Sequence, residues 1–373
     1  MEQLKTSNLD SLDGLNFQNS ELVQHGIGEH PIQSLEEKIE HNKEQDKSMD
    51  KLSSINFTDL FLSEDGNAFI RGSDEGDGPL SNIPESTIDD LSKLHSKVCE
   101  EGENKIDFFV DYDGMRFRVN KMEEANGVWY ALRRLPWPIP KLLDLRGVPL
   151  RTIEYLGYLG KPTLNSHGLI LIAGATSQGK TTTASALLTE YLSHYGDVAV
   201  TIEDPIELPL SGPHGRFGYC FQTSVDDDDF KGAMKKTMRR APRYIYLGEI
   251  RSGEEASVAL RAALTGHLVI STIHAGNCVE AIDGMIKYVT SSGESSEIAR
   301  QNLASGLLAV FHQRLIKSRN IKGKMLQVES LFISPNQADQ SVRNLIRSGK
   351  TEQLSTIIQQ QATRIKSDQS PIL

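Results

Sequence analysis

The sequence has few cysteines, no long apolar run and fewer basic than acidic residues. Its three cysteines, Cys99, Cys220 and Cys278, lie far apart without a CxxC pair, which argues against a disulfide scaffold or a zinc ribbon. No run approaches the roughly 20 apolar residues that a bilayer-spanning helix needs. The first residues lack a basic segment followed by an apolar stretch, so no secretory signal is expected. These features predict a cytoplasmic protein in a reducing compartment.

The charge balance also restricts the classes of partner. Forty basic and fifty acidic residues give a net charge of −10, so nucleic-acid binding is not expected. Apolar residues make up 38% of the 373 residues, which is enough for most of the chain to fold. A chain of this length exceeds one ordinary core, and two or three domains are expected.

The distribution of charged and apolar residues divides the first part of the chain into an acidic tail and a unit of mixed helices and strands. The first fifty residues carry eleven acidic and four basic side chains, and we interpret residues 1–52 as a disordered acidic tail or, alternatively, a docking segment. Residues 53–140 are predicted to form an α+β domain. A helix is expected from Ile88 to Val98, followed by three strands joined by turns at Asp113-Gly114 and Asn126-Gly127.

The second part shows a different pattern. Between residues 141 and 290, short apolar runs without alternation indicate buried parallel strands, and the segments between them have helical spacing. Alternating strands and helices predict a doubly wound α/β domain. The runs are Leu169–Ala173, Val198–Ile202, Tyr244–Leu247 and Leu268–Ile273. Residues 291–373 are predicted to be a helical region with a strand pair near Leu326–Ile333.

The most specific motif is a phosphate-binding loop of the form GxxxxGK[ST]. It lies between a predicted strand and a predicted helix, where backbone N–H groups and a helix N-terminus attract phosphate. Lys180 is expected at the β/γ phosphates and the Thr181 hydroxyl at Mg²⁺. The sequence therefore predicts binding of ATP with Mg²⁺. The residues are Gly174, Ala175, Thr176, Ser177, Gln178, Gly179, Lys180, Thr181 and the following Thr182.

Two acidic segments end predicted strands. Glu203 and Asp204 follow the second strand, where they could polarise water or hold Mg²⁺ through its waters, unless they form an ordinary acidic loop. Tyr244–Glu249 fits the pattern of a Walker B strand. It has Gly248-Glu249 at the position where many P-loop enzymes have Asp-Glu. Glu249 is therefore the predicted catalytic base that orients and deprotonates the attacking water.

Two histidines bracket the last of these strands. His267 and His274 are seven residues apart, so they point to opposite faces and do not form one metal site. Taken alone, either is more often a structural hydrogen-bond donor than a functional residue.

These segments, in this order, resemble the boxes of the type II/type IV secretion superfamily ATPases, with PilT-type ATPases the most similar branch. The matching boxes are GATSQGKT, TIEDPIE, YLGEIR and TGHLVISTIHAGN, with FTDLFLS, RFRVN and ALRRLP before them and VRNLIR after them. The resemblance implies a RecA-like P-loop NTPase core, an α/β fold, preceded by a PAS-like α+β domain. It also implies a homohexameric ring with ATP bound between the two domains of each subunit.

The resemblance further implies residue roles. Glu203 and Glu249 become the acidic pair at the γ-phosphate, and His267 and His274 become nucleotide sensors. Arg118 and Arg133 match arginines that the N-terminal domain contributes to the phosphates, although a solvated strand face is the simpler alternative. Arg239 and Arg251 match further arginines near the site.

Several positions depart from the pattern of the family. Ser177-Gln178 stands where Gly-Ser is usual, Ala241-Pro242-Arg243 replaces Asp-Pro-Asp, and Ser252 replaces an aspartate. A tetracysteine zinc motif, typical of assembly ATPases, is lacking. The acidic tail fits a DotB/TraJ-type relative from type IVB secretion or conjugation, but the boxes do not decide between the branches.

The leading hypothesis is a hexameric ATPase motor for a secretion, conjugation or type IV pilus machine. It would act peripherally at the inner membrane through membrane-embedded secretion or pilus platform proteins, without inserting itself. A nucleotide-binding regulatory subunit without turnover is the first alternative, and a nucleic-acid translocase is the second.

Overall fold

The computed structural model describes residues 51–72, 79–125, 127–164, 167–225, 229–317, 324–334 and 340–372. Residues 1–50 and the turn residue Asn126 lie outside these ranges. The predicted tail extended to residue 52, but Leu52 is fully buried in the core of the first sheet and therefore belongs to the folded unit. The strands are β1 Asp59–Ser63, β2 Ala68–Arg71, β3 Leu80–Asn82, β4 Asp107–Tyr112, β5 Met115–Glu124, β6 Gly127–Leu135, β7 Gly168–Ala173, β8 Asp197–Glu203, β9 Gly212–His214, β10 Gly218–Ser224, β11 Tyr244–Ile250, β12 Leu268–Ile273, β13 Leu307–Lys317 and β14 Lys324–Phe332. The α-helices are α1 Ile88–Glu101, α2 Leu150–Leu159, α3 Lys180–Tyr195, α4 Phe230–Met238, α5 Gly253–Leu264, α6 Cys278–Ser291, α7 Ser296–Gly306, α8 Gln340–Arg347 and α9 Leu354–Lys366.

The first sheet is antiparallel, with strand order β3-β2-β1-β6-β5-β4. Helix α1 packs one apolar stripe, Leu91, Leu94 and Val98, into the core on this sheet. The helix and three strands that the sequence predicted in this unit are confirmed. The opposite face of the sheet carries charged side chains together with the contacting rings of Phe61, Phe69 and Trp129, since an antiparallel sheet can bury one face alone.

The second sheet has the order β14-β13-β7-β12-β11-β8-β10-β9. The strands from β13 to β10 pair in parallel, while β14 and β9 are antiparallel edges. Strand β7 is buried along its whole length and contributes alternate residues to two cores, Leu169 and Leu171 to one face and Ile170 and Ile172 to the other. Helices on both faces therefore explain the lack of alternation in the sequence.

The second sheet extends beyond residue 290, which the sequence analysis predicted as the end of the α/β domain. Strands β13 and β14 follow that boundary, and β13 pairs in parallel with β7. Strand β14 coincides with the segment near Leu326–Ile333 where a strand pair was predicted, and its partner is the earlier β13, so residues 291–373 supply two strands to the same sheet. Among the described residues, no helix is both long and apolar enough to cross a bilayer.

The segment matching VRNLIR forms α8. Val342 and Ile346 are fully buried, and Arg343 is 3% exposed. The Arg343 guanidinium donates to the carbonyls of Ala304, Ser305 and Ser334. Since two of these carbonyls end α7, a buried cation joins α8 to the C-terminus of that helix.

We expect Arg343→Met to destabilise the fold by about 2–4 kcal/mol, because the buried carbonyls would lose their donor. Arg347→Met is the matched control, since exposed Arg347 bonds only to Gln340 and Asn344 of its own helix among the described residues, and we expect a change within about 0.5 kcal/mol. Denaturant unfolding followed by circular dichroism measures both. Equal midpoints for the two variants would contradict the structural role of Arg343.

Candidate active site

The phosphate-binding loop joins β7 to α3 at the carboxyl edge of the large sheet. Gly174 has φ of +155°, and a Cβ there would lie 2.6 Å from the carbonyl oxygen of Gln313. Gly179 has φ of +79° and is the N-cap of α3. Both positions therefore favour glycine, and its backbone freedom lets the loop curl between the end of β7 and the N-terminus of α3, where phosphate groups are favoured.

The two residues that depart from the family pattern are held in place. Ser177 has φ of +61°, a conformation that glycine adopts more readily. The Gln178 side-chain oxygen accepts the Leu315 N–H at 2.7 Å, and the Gln313 amide donates to the Gln178 carbonyl at 2.7 Å. The substituted loop is thus tied to β13.

Lys180 lies beneath the loop and is 8% exposed. Its ammonium donates to the carbonyls of Gly174 and Ala175 at 3.0 and 3.1 Å. It also lies 3.4 Å from a carboxylate oxygen of Glu249. The structure thus brings together the two residues that the sequence singled out as the phosphate-binding cation and the catalytic base.

Glu249 is directed into the site by an irregularity in β11. The pairing with β12 shifts register between Leu247 and Glu249, so Gly248 is the extra residue of a bulge. Ser271 and Thr272 donate to the carbonyls of Leu247 and Gly248 at 2.6 and 2.9 Å. Two hydroxyl groups of the neighbouring strand therefore fix the bulge.

The carboxylate of Glu249 lies between two cations. Arg251 Nε is 2.8 Å from one oxygen, and Lys180 is near the other. Burial raises the pKa of Glu249, but the Arg251 hydrogen bond and the Lys180 charge outweigh it and hold the pKa below its ordinary value. Glu249 is therefore ionised at neutral pH.

Glu203 ends β8 in a different environment. It is 2% exposed, and burial raises its pKa to about 7. Gln222 Nε2 donates to Glu203 at 3.0 Å, while Gln222 Oε1 accepts the N–H groups of Leu210 and Ser211. The amide is therefore oriented toward the carboxyl, whereas the neighbouring Asp204 is exposed.

A cavity of about 970 Å³ lies over the loop and is walled by both sheets. The large sheet contributes loop residues Thr176–Thr183, both glutamates, Asp204 and Arg251, while the small sheet contributes Arg118 and Arg133. Asp59, Arg71 and Gln313 also line the cavity, and Gln222 contacts Glu203 without lining it. None of these four was singled out from the sequence, because only cross-strand register and long-range contacts bring them here.

Other predicted residues do not line this cavity. His267 precedes β12 and His274 follows it, so they are roughly 20 Å apart along the strand. His267 Nδ1 is 2.7 Å from the Pro242 carbonyl at the edge away from the loop, and His274 is exposed. Exposed Arg239 follows α4, also outside the lining. The roles of these three residues stay predictions from the resemblance.

The departure at Ser252 preserves a local structure. Ser252 is the N-cap of α5 and forms a capping box with Glu255. Serine and aspartate are both favoured N-caps, so this substitution removes a charge without removing the cap. In the described ranges, no cluster of three or more His, Cys, Asp or Glu side chains is arranged to hold a metal.

Comparisons with known proteins agree with this architecture. The Type II/IV secretion system protein family model matches residues 98–369. The type IV pilus retraction ATPase PilT of Pseudomonas aeruginosa is 30% identical over 317 residues, covering 81% of this chain and 85% of that protein. A twitching motility protein of Neisseria gonorrhoeae is 29% identical over 292 residues, 76% and 74% of the two chains.

Solved structures show the same fold. The pilus retraction motor PilT with bound ADP has a TM-score of 0.64 and 28% identity, covering 88% of this chain and 90% of that one. The ATPase DotB of Legionella pneumophila has a TM-score of 0.57 at 22% identity, with 87% and 94% covered, which shows the fold alone. The predicted RecA-like α/β core with an N-terminal α+β unit is confirmed, and this chain belongs to the Type II/IV secretion system protein family.

Proposed function

We propose that this chain is an ATP hydrolase and the motor subunit of a type IV secretion, conjugative transfer or type IV pilus machine. The observation that carries the proposal is the contact of Lys180 and Glu249 beneath a formed phosphate loop, in a cavity walled by arginines of a second sheet. Motion of that sheet would couple the chemical step to mechanical work. The relatives named as a retraction ATPase and a twitching motility protein support a motor.

In the proposed mechanism, the loop N–H groups and Lys180 hold the β and γ phosphates. Ionised Glu249 accepts a proton from the attacking water, and Arg251 keeps its carboxylate oriented. Arg118 and Arg133 stabilise the negative charge that develops on the transferred phosphoryl group. The side chains of Lys180, Glu249, Arg251, Arg118 and Arg133 all line the same cavity.

The donor set at the loop also fits Mg²⁺. Thr181, in the first turn of α3, lines the cavity together with Asp204 and Glu203. We propose that the Thr181 hydroxyl binds the ion directly and that Asp204 binds its waters. When bound, Mg²⁺ would neutralise charge on the phosphates.

We further propose a homohexamer that works in the cytoplasm at membrane-embedded platform proteins of the inner membrane. Membership of the Type II/IV secretion system protein family supports action at such a machine. A regulatory subunit that binds ATP without turnover is the alternative that the first experiment must separate.

Glu249→Gln should lower ATP turnover by at least 100-fold while ATP binding is retained, since the amide cannot accept the proton of the water. Lys180→Ala should lose both binding and turnover. The measurement is steady-state ATPase activity with magnesium, together with native mass and fluorescent-nucleotide binding. Glu254→Gln, at an exposed carboxylate outside the cavity, is the matched control and should keep wild-type turnover.

A hexamer-sized wild type that hydrolyses ATP supports the motor. A wild type that binds ATP without hydrolysing it would favour the regulatory subunit instead. Turnover in Glu249→Gln equal to that in Glu254→Gln would remove Glu249 from the chemical step.

Glu203→Gln should stabilise the nucleotide-free protein in a pH-dependent way. Between pH 4.5 and about 7, folded Glu203 keeps its proton whereas the unfolded side chain loses it, so its contribution to stability is lost as the pH rises. The stability gain of the variant over wild type should therefore grow from pH 5 to pH 8 by on the order of 2 kcal/mol. Denaturant titrations at both pH values measure it, and a gain independent of pH would show that Glu203 has an ordinary pKa.

A further inference from the structure

A row of four charged residues crosses the small sheet at one level. In the strand register, Arg71 of β2 is opposite Asp59 of β1, Asp59 is opposite Arg133 of β6, and Arg133 is opposite Arg118 of β5. Directly opposite residues share a face of the sheet. All four line the cavity above the phosphate loop.

The charges of this row do not balance among themselves. Arg118 and Arg133 are like charges at directly opposite positions, which is unfavourable in a sheet. Asp59 is the only acid of the row, and Arg118 has a further carboxylate only at 4.0 Å, from Asp107. Three guanidinium groups and one carboxylate thus leave the row with a net positive charge that faces Lys180 across the cavity.

Asp59 contacts both of its neighbours in the same way. Its side-chain oxygens accept Arg71 Nε at 3.1 Å and Arg133 Nε at 3.0 Å, and Thr58 donates at 2.9 Å. Burial raises the pKa of Asp59, but the hydrogen bonds from Arg71, Thr58 and Arg133 outweigh it and lower the pKa below the ordinary value. Asp59 therefore stays ionised and is 8% exposed.

Contact through Nε leaves the terminal nitrogens of both arginines for another acceptor. Within the described ranges these nitrogens have no hydrogen-bond partner, and the Arg71 and Arg133 side chains are 47% and 56% exposed. The Arg71 guanidinium also lies 5.2 Å from the centre of the Phe61 ring. Its orientation is thus fixed before any ligand binds, and a guanidinium with two free terminal nitrogens suits a phosphate.

We propose that Arg71 is a third arginine that binds the terminal phosphate of a nucleoside triphosphate, and that Asp59 is the positioning residue for Arg71 and Arg133. The inference rests on the proposed function and extends it. The row would recognise the phosphate that ATP has and ADP lacks, because the phosphate loop on the opposite wall already holds the shared phosphates. The site would therefore distinguish substrate from product.

The test compares ATP and ADP affinity in the Glu249→Gln background, where hydrolysis is blocked, with magnesium and fluorescent nucleotides. Arg71→Gln should weaken ATP binding at least tenfold and ADP binding less than threefold. Arg71→Lys should give an intermediate loss, because lysine keeps the charge but not the paired donors. Arg116→Gln is the matched control, since Arg116 lies on β5 two residues from Arg118, pairs with Asp111, and does not line the cavity.

Asp59→Asn tests positioning. It should lower the ATP-to-ADP affinity ratio toward that of Arg71→Gln, because both guanidinium groups lose their ionic anchor. Affinities are measured well below each variant's thermal midpoint, so that a loss of stability alone does not change the ratio. An unchanged ratio in Asp59→Asn would assign this carboxylate to the fold alone and overturn its positioning role.

The outcomes separate this inference from the proposed function. If Arg71→Gln keeps the parental ratio while Lys180→Ala loses binding, the nucleotide site stands and the role of Arg71 is overturned. If Lys180→Ala binds ATP as the parent does, the proposed function fails and the inference fails with it.

Discussion

The buried ammonium group of Lys180 is the constraint on which the candidate site depends. A cation with 8% exposure must be compensated by nearby acceptors. Gly174 and Ala175 provide carbonyls, so the loop has to curl back over the side chain. Glu249 provides the opposite charge and reaches it because the bulge at Gly248 changes the direction of β11. The curl of the loop and the bulge in β11 thus both compensate the charge of Lys180. Arg251 in turn holds the Glu249 carboxylate that pairs with this charge.

Much of this arrangement could be predicted, because it is encoded locally. The strands of the large sheet are short apolar runs without alternation, and the loop residues are contiguous. The small sheet was harder, since Arg71 and Arg133 are 62 positions apart in the sequence and meet only through Asp59 of β1. Strand β10 was missed because it alternates buried Cys220 with exposed Tyr219 and Phe221, a pattern of a sheet margin rather than of a buried strand.

Departures from a family pattern illustrate a second limit of sequence reasoning. Gln178 replaces a small residue in the loop, and the sequence alone suggested only a change in flexibility. Its side chain instead bonds to the backbone of Leu315, so the substitution adds an anchor on β13. Ser252 likewise replaces an aspartate and still caps α5. Ala241, in contrast, has φ of +46°, and nothing in its surroundings explains an alanine there.

The two glutamates of the cavity show how one site can give the same side chain two protonation states. Glu249 lies between two cations and is ionised, whereas Glu203 is buried beside a neutral amide and has a pKa of about 7. A base must be ionised before it accepts a proton, so near neutral pH Glu249 is suited to that role. Protonated Glu203 can instead donate a hydrogen bond toward a phosphate or water oxygen. Because Gln222 is bonded at both ends, it fixes this carboxyl without adding a positive charge that would ionise it. The two glutamates therefore differ in protonation state, and in the chemical role that each can take, because their neighbouring residues differ.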